Sequence, residues 1–457
     1  MRKQRLKSRT GLIQGLCFLV FGLIVIQLFR LQVLNHKLYA TKANQQQIMK
    51  STIFAKRGEI YFLDGDTPVP IVMNKKTYTI SIDPSLVVKK REEITKKIDE
   101  IVGAYRVKTG WDEVFADPER KYFVVAKNVP YRETNNLKNA DLTGVYEQET
   151  TTRVYPEGEM AAQVLGFVNQ DGEGQYGVEG SLNKELTGEN GLLKTVKDSN
   201  NVPLTIGNEN VKIPAKDGKN LVLTIDRNIQ KKAEEAVDEV TKKFNITYGS
   251  AIVMNPATGQ ILAMAGKPGY NPAEYAKVTD AKVFQTDATM NAFNPASVCK
   301  TFAIAAAIDS GVMTPETTYY NTDKLVIDGW PIENAIKGHT GEINMQTVLT
   351  YSLNTGSIQA LKLLGGSASE ITYQGKEKLY DYYHNRFNLG KYTGIELPET
   401  KGSIVPPNDI DATDARYANM TFGQSLDLSI IQVSSAFSAV VNGGEYYRPT
   451  LIAGEMK

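Results

Sequence analysis

A serine and a lysine three positions apart, Ser297 and Lys300 within Phe293-Asn294-Pro295-Ala296-Ser297-Val298-Cys299-Lys300, are the residues of this chain best suited to nucleophilic chemistry. If a helix starts at Ser297, Lys300 lies one turn along on the same side, close to the hydroxyl. The positive end of that helix favours charge on the serine oxygen. A lysine kept partly desolvated can lose its proton and serve as the base that activates the serine. As a bare pattern this decides nothing, because a capping serine followed by a solvated lysine is the commoner meaning. Ser181-Leu182-Asn183-Lys184 has the same spacing, and Ser-x-Asn occurs at Ser181–Asn183, Ser199–Asn201 and Ser352–Asn354. Context separates them. Ser297 precedes Phe302-Ala303-Ile304-Ala305-Ala306-Ala307-Ile308, an apolar helix that belongs at a domain centre, whereas Ser181 runs into Lys184, Glu185 and Gly188, a surface-like setting. Ser352-Leu353-Asn354 follows an expected helix over 343–351 and opens onto another, which can put a hydroxyl and a carboxamide at a cleft edge to relay protons and orient a substrate. Taken alone, Asn354 reads as a loop cap.

Other chemistries have less support. The three histidines, His36, His339 and His384, are widely scattered without metal-ligand spacing, which demotes a histidine triad or a zinc hydrolase; no metal or cofactor is expected. The two cysteines, Cys17 and Cys299, fall in segments that cannot meet, so no disulfide framework is expected. Net charge is +1, but residues 1–10 hold Arg2, Lys3, Arg5, Lys7 and Arg9; the remaining residues carry 47 basic and 51 acidic side chains, a balance of −4. Charge therefore excludes nucleic-acid binding by the body of the chain.

The elements that must position these residues begin with an anchor. Leu12–Phe29 is an uncharged run of 18 residues between Arg9 and Arg30, enough to span a bilayer core as a helix. It is longer than a secretory signal core and exits without a small-x-small cleavage site, so it reads as a retained anchor rather than a cleaved signal. The basic cluster then leaves the N-terminus in the cytoplasm and everything after about residue 33 outside. Residues 34–50 read as a polar, helical stalk, and 52–215 as a mixed region of short β-rich runs such as 78–82 and helical stretches such as 90–103. The polar stretch 198–219 is a natural boundary. Beyond it, Leu221–Ile225 predicts a strand and Asp226 an N-cap. A helix follows with Ile229, Ala233, Ala236, Val237, Val240 and Phe244 on one face. The apolar runs 250–254 and 260–265, split by Asn255-Pro256-Ala257-Thr258-Gly259, predict an antiparallel hairpin. Further helices follow Pro295 and run from about Ser429 to the stop at Asn442-Gly443-Gly444. The order predicts an α+β domain, an antiparallel sheet with helices packed on it.

Ser297-x-x-Lys300 followed by Ser352-x-Asn354 matches the first two active-site motifs of penicillin-binding proteins, in the right order. The flanks resemble class B members: Arg57-Gly58-Glu59-Ile60 with Asp64-Gly65, Arg153-Val154-Tyr155-Pro156 with 161–166, and Gly177-Val178-Glu179. Val222–Asp226, Ile252–Pro256 with Thr258-Gly259, and Leu397-Pro398 extend the series. The resemblance implies a cytoplasmic tail (1–10), a transmembrane anchor (11–33), an elongated pedestal of dimerisation type (34–215) and a penicillin-binding, serine β-lactamase-like transpeptidase domain (216–457). It further implies a peptidoglycan D,D-transpeptidase. Ser297 would attack the penultimate D-alanine of a stem peptide, with Lys300 as base and Ser352 and Asn354 completing the relay and binding the substrate amide. β-Lactams would acylate Ser297, and a polytopic membrane glycan polymerase would be the partner. A D,D-carboxypeptidase and a non-catalytic scaffold of the wall-synthesis machinery stand as alternatives.

Three departures qualify the resemblance. The third family motif, Lys-Thr/Ser-Gly on a cleft strand, belongs after Gly444, and no such strand is reached by Lys457; the chain is therefore expected to be an incomplete transpeptidase domain, a fragment inactive by itself. Lys108-Thr109-Gly110 is read as coincidence, and Lys391-Tyr392-Thr393-Gly394 has an intervening residue. Ala296 stands where the family usually has glycine, and Cys299 where an aromatic is frequent.

Overall fold

The computed structural model describes residues 2–37, 48–117, 120–196 and 211–456, which form two compact units. The first comprises residues up to 56 together with 188–218. Its helix Arg2–Phe29 continues into a π-helical turn, Arg30–Leu34. Gly11–Leu34 is long and apolar enough to cross a membrane once, with mean hydropathy 2.4. The expected helical stalk over 34–50 is corrected in part. Residues 38–47 lie outside the described residues, but Ile48–Ile53 is a strand paired antiparallel with Gly191–Val196. Thr52 and Ile53 are β-branched, which favours the extended pairing. Most of the proposed boundary at 198–219 also falls outside the described residues, and Val211–Ile213 adds a third strand to this sheet.

The second unit, 57–187 with 219–457, holds the four site residues Ser297, Lys300, Ser352 and Asn354. Its main sheet is built from β1 (Ile60–Asp64), β2 (Thr67–Ile82), β3 (Phe123–Val129), β4 (Val145–Val154), β5 (Asn220–Asp226) and, at the end of the chain, a strand of residues 452–456. β2 is long enough to pair with β1 through its first half and with β3 and β4 through its second. β5 lies parallel to β1 and antiparallel to Ile452–Met456. Ile60, Phe62, Val72, Leu221, Leu223 and Ile225 bury their side chains in one core with Val164, Leu165, Val178 and Leu186.

Three arginine- and glutamate-bearing motifs converge at the edge of this core. The Glu179 carboxylate is fully buried between Arg57 and Arg153. Arg57 Nε donates to Oε2 at 2.7 Å and Arg153 Nε to Oε1 at 2.8 Å. Arg153 also donates to Gly58 O and to Asn74 Oδ1, and Arg57 to Asn183 and Thr187. Gly174 is obligatory here, since a Cβ on it would lie 1.8 Å from Glu179 O. Motifs more than 120 residues apart thus form one buried ion cluster, whose charges are tolerable only because each is paired and hydrogen-bonded. Ser181 closes the short helix Gly177–Ser181 beside it, and Asn183 is committed to Arg57.

Helix α1 (Arg227–Lys243) is capped by Asp226, whose Oδ1 accepts the amides of Asn228 and Ile229, both at 2.9 Å. The buried face differs from the expected one. Gln230, Ala233, Val237 and Thr241 are buried, while Val240 and Phe244 are exposed. The cause is Gln230, whose carboxamide accepts from Met264 N at 2.8 Å and donates to Met264 O at 3.0 Å, doing for the strand what a neighbouring strand would do. That strand, β7 (Ile261–Lys267), forms the expected antiparallel hairpin with β6 (Gly249–Met254). Helices pack around it, giving the α+β arrangement. Lys108-Thr109-Gly110 leads into the turn at Trp111, beside the core of Ile80, Ile98 and Val125, and Thr109 O is used by Arg106. Thr393 and Gly394 are spent on the Glu399 carboxylate.

Candidate active site

The segment before Ser297 is held from one side. Ala292–Phe293 pairs with Leu428–Ser429, Asn294 Nδ2 donates to Leu426 O at 2.6 Å, and Ala296 N donates to Gly423 O at 3.0 Å. Ala296 has φ +57°, the left-handed conformation that costs an alanine about 1–2 kcal/mol. Gly423 comes so close that a Cβ there would lie 2.0 Å from Ala296 O. From this bend the chain enters a 3-10 turn, Ala296–Val298, and then α2 (Cys299–Asp309). The α-helix therefore begins two residues later than expected, and Ser297 sits exposed on the turn leading into it. Cys299, Phe302, Ala303, Ala306 and Ala307 are buried on α2, so the turn is carried by a helix fixed in the core. Burial pushes the Cys299 thiol up to about 12, which removes it as a rival nucleophile.

Lys300, 3% exposed, reaches back along the first turn of α2. Its Nζ lies 3.0 Å from Ser297 Oγ, 2.8 Å from Ser352 Oγ and 2.7 Å from Ser352 O. These three contacts use every donor an ammonium has. Burial lowers its pKa from 10.5 to about 8, with no carboxylate among the causes to restore the charge. Ser352 can present both oxygens because it caps α3 (Met345–Tyr351) in the left-handed conformation, φ +55° and ψ 48°. The expected helix over 343–351 is shorter at its start, where Gly341–Asn344 forms a strand. Asn354 opens α4 (Asn354–Leu364), and its Nδ2 donates to Glu333 O at 2.8 Å. No sequence signal marks Glu333, because its contribution is a main-chain oxygen. Ser297, Lys300 and Ser352 thus form one hydrogen-bonded chain, and Asn354 is oriented next to it. Of the remaining Ser-x-Asn matches, Ser199–Asn201 lies outside the described residues.

Such a hydroxyl–amine–hydroxyl chain can move a proton from the nucleophile to a leaving group without a histidine or a metal ligand in the relay. Two family models match the chain: the penicillin-binding protein dimerisation domain over residues 52–223 and the penicillin-binding protein transpeptidase domain over residues 249–457. The chain belongs to the class B penicillin-binding proteins. It is 28% identical over 396 residues to stage V sporulation protein D of Bacillus subtilis, covering 86% of this chain and 58% of that protein. It is 27% identical over 445 residues to the peptidoglycan D,D-transpeptidase FtsI of Buchnera aphidicola, covering 96% of this chain and 74% of that one. In fold it resembles penicillin-binding protein 2X of Streptococcus thermophilus, with a TM-score of 0.66 at 23% identity over 88% of this chain and 61% of that one. Penicillin-binding protein 3 of Mycobacterium tuberculosis, crystallised with aztreonam, gives 0.62 at 21% identity over 89% and 68%.

Proposed function

We propose that the protein is a membrane-anchored peptidoglycan D,D-transpeptidase acting through a Ser297 acyl-enzyme. Neutral Lys300 takes the Ser297 proton as Oγ attacks the penultimate D-alanine carbonyl. The proton passes through Ser352 Oγ to the departing D-alanine nitrogen as the peptide bond breaks. An amine of a neighbouring stem then attacks the ester, gives up its proton by the reverse route and releases Ser297, leaving a cross-link. Asn354 binds the backbone amide of the donor peptide. The observation that carries this reading is the buried Lys300 Nζ between two serine hydroxyls, at 3.0 and 2.8 Å, with burial alone lowering its pKa. The same reading takes 1–10 as cytoplasmic, 11–33 as the anchor, 34–215 as the pedestal and 216–457 as transpeptidase domain. It places the serine outside the membrane, as the basic cluster ahead of the span favours. A polytopic glycan polymerase in the same membrane is the proposed partner.

The test is labelling by a fluorescent penicillin followed by mass mapping, on the natural gene product and its Ser297→Ala variant. A label on Ser297 that disappears in the variant is the expected result. A folded protein that takes no label would overturn the reading and leave the scaffold. A labelled protein that frees D-alanine from a donor peptide without ever forming a cross-link to an acceptor amine would be the carboxypeptidase.

A further inference from the structure

Behind the second motif lies a buried polar cluster that the proposed reaction does not use. Asp323, Asn321, Asn334 and Thr355 are all buried, and Asp323 adopts φ +54°. The Asp323 carboxylate accepts five hydrogen bonds. Oδ1 takes Asn334 Nδ2 and Asn321 Nδ2, both at 2.9 Å. Oδ2 takes Gly338 N at 2.9 Å, and His339 N and Thr340 Oγ1 both at 3.2 Å. These donors, Asn334 foremost, hold its carboxyl well below the usual carboxylate range, so it is an acceptor and never a donor.

That fixed polarity determines which way two carboxamides face. An asparagine carboxamide can sit in either of two orientations, and only its surroundings choose between them. Because Asp323 Oδ1 demands an NH2 from both Asn321 and Asn334, their carbonyl oxygens must face the other way, toward Thr355. Asn334 Oδ1 accepts Thr355 N at 3.0 Å, and Asn321 Oδ1 accepts Thr355 Oγ1 at 2.7 Å. Thr355 N belongs to the first turn of α4, where no carbonyl within the helix is available to it. It is also the amide joined directly to Asn354. The carboxamide of Asn354 meanwhile donates to Glu333 O, the residue bonded to Asn334. Both the main chain and the side chain of Asn354 are thereby referenced to the dipeptide Glu333-Asn334, and that dipeptide is oriented by Asp323.

We propose that Asp323 is a positioning residue for the acylation step, acting through the Asn334 carboxamide on Thr355 N and so on the placement of Asn354 and of Ser352, two residues before it. This rests on the Ser297 acyl-enzyme reading above. None of these hydrogen bonds reaches Ser297 or Lys300, so the network governs how the substrate amide and the relay hydroxyl are presented rather than how the base is deprotonated. A displacement of about 1 Å at such groups costs on the order of a hundredfold in rate.

The experiment measures acylation by benzylpenicillin on the natural gene product, separating the limiting rate constant at saturation from the half-saturating concentration, at several pH values. In Asp323→Asn one face of the side chain must turn an NH2 against its donors, because a carboxamide has one acceptor oxygen where the carboxylate had two. The limiting rate constant should fall about 10- to 100-fold, with the pH midpoint set by Lys300 unchanged. The exchange double variant Asp323→Asn with Asn334→Asp restores one carboxylate and one carboxamide. The carboxamide introduced at position 323 can then accept from Gly338, His339 and Thr340 while donating to the carboxylate introduced at position 334, which keeps an acceptor on Thr355 N. Asn321, which donated to Asp323 Oδ1, must turn its carboxamide over to offer its oxygen to position 323 and its NH2 to Thr355 Oγ1. The double variant should recover at least about tenfold of the loss. A folded Asp323→Asn protein with a wild-type limiting rate constant overturns the proposal, as does a loss that the exchange leaves untouched while restoring thermal stability. Failure of the wild-type protein to acylate at Ser297 would instead remove the reading on which it rests.

Discussion

With Lys300 as the proposed base for Ser297, raising the pH from 7 to 9 should speed acylation about tenfold and then level off, because burial lowers the pKa of this lysine to about 8. With that value, the neutral fraction of Lys300 is about 0.09 at pH 7 and about 0.91 at pH 9, and further alkali adds almost nothing. An ordinary lysine at its unperturbed 10.5 would gain about a hundredfold over the same interval and still be climbing at pH 10. The two cases therefore differ in shape as well as size. The assay is the pseudo-first-order rate of fluorescent penicillin attachment between pH 6 and 10, with the site of attachment mapped at each end of the range. Lys300→Arg, which cannot deprotonate, should lose the rate across the whole range. A flat profile, or one still rising several-fold between pH 9 and pH 10, would refute the argument that desolvation poises the base. The same shift bears on stability. The folded state favours the neutral amine, so well below pH 8 folding carries the full cost of burying the cation, about 3 kcal/mol for this shift. The unfolded chain binds more protons between 8 and 10.5, so this cost is relieved as pH rises through that window. The stability of the wild type relative to Lys300→Met should improve by that amount over the same interval, measured by denaturant unfolding.

Two other sites give sharp expectations. Ala296→Gly removes the left-handed strain before Ser297, and after the entropy cost of a glycine should stabilise the protein by about 0.5–1 kcal/mol; Ala296→Val should destabilise it by at least about 2 kcal/mol, a β-branched residue being a severe outlier at that φ. A chemical denaturation series on the three proteins checks the order, and equal stabilities would show that the strain is absorbed elsewhere. Glu179→Ala leaves Arg57 and Arg153 buried without their shared carboxylate and should cost about 3–5 kcal/mol. A loss under about 1 kcal/mol in the same measurement would mean that water reaches the two guanidinium groups.

Much of this arrangement could be read from residue types and spacing, and the parts that could not share a physical cause. The Asp226 cap, the hairpin on either side of Asn255–Gly259 and the apolar α2 all follow from local pattern, because each is decided by neighbours in sequence. Ser297 and Lys300 stood out by spacing and by the apolar helix behind them, whereas Ser352 and Asn354 were singled out only through the resemblance to penicillin-binding proteins, Asn354 alone reading as a loop cap. The relation among the four could not be read in this way, since it depends on the left-handed backbone at Ser352 that turns two oxygens toward one amine. The face of α1 was misjudged at Gln230 because a polar residue scores as exposed unless its backbone partner, here Met264, is known. Asp323 and Asn334 carried no signal at all. Their importance lies in which way a carboxamide faces, and that is settled by contacts between residues with no fixed spacing. The helical expectation for 34–50 failed at residues 48–50, the start of the strand Ile48–Ile53, because the pairing partner of that strand, Gly191–Val196, is far away in sequence.

The parallel pairing of β5 with β1 bears on how the gene can be cut. Leu221 N donates to Glu59 O at 2.9 Å, and Leu221 stands opposite Ile60 in register. A recombinant piece starting at residue 216 would keep β5 but strip the strand beside it, exposing the face formed by Leu221, Leu223 and Ile225. Such an excised piece should be recovered as aggregate, while a piece beginning before Arg57 keeps both strands and the Glu179 ion cluster together. Swapping the catalytic half between homologues at that border would join two halves of one sheet that had never been matched to each other. Successful chimaeras should instead carry residues 57–64 along with the half that contains β5.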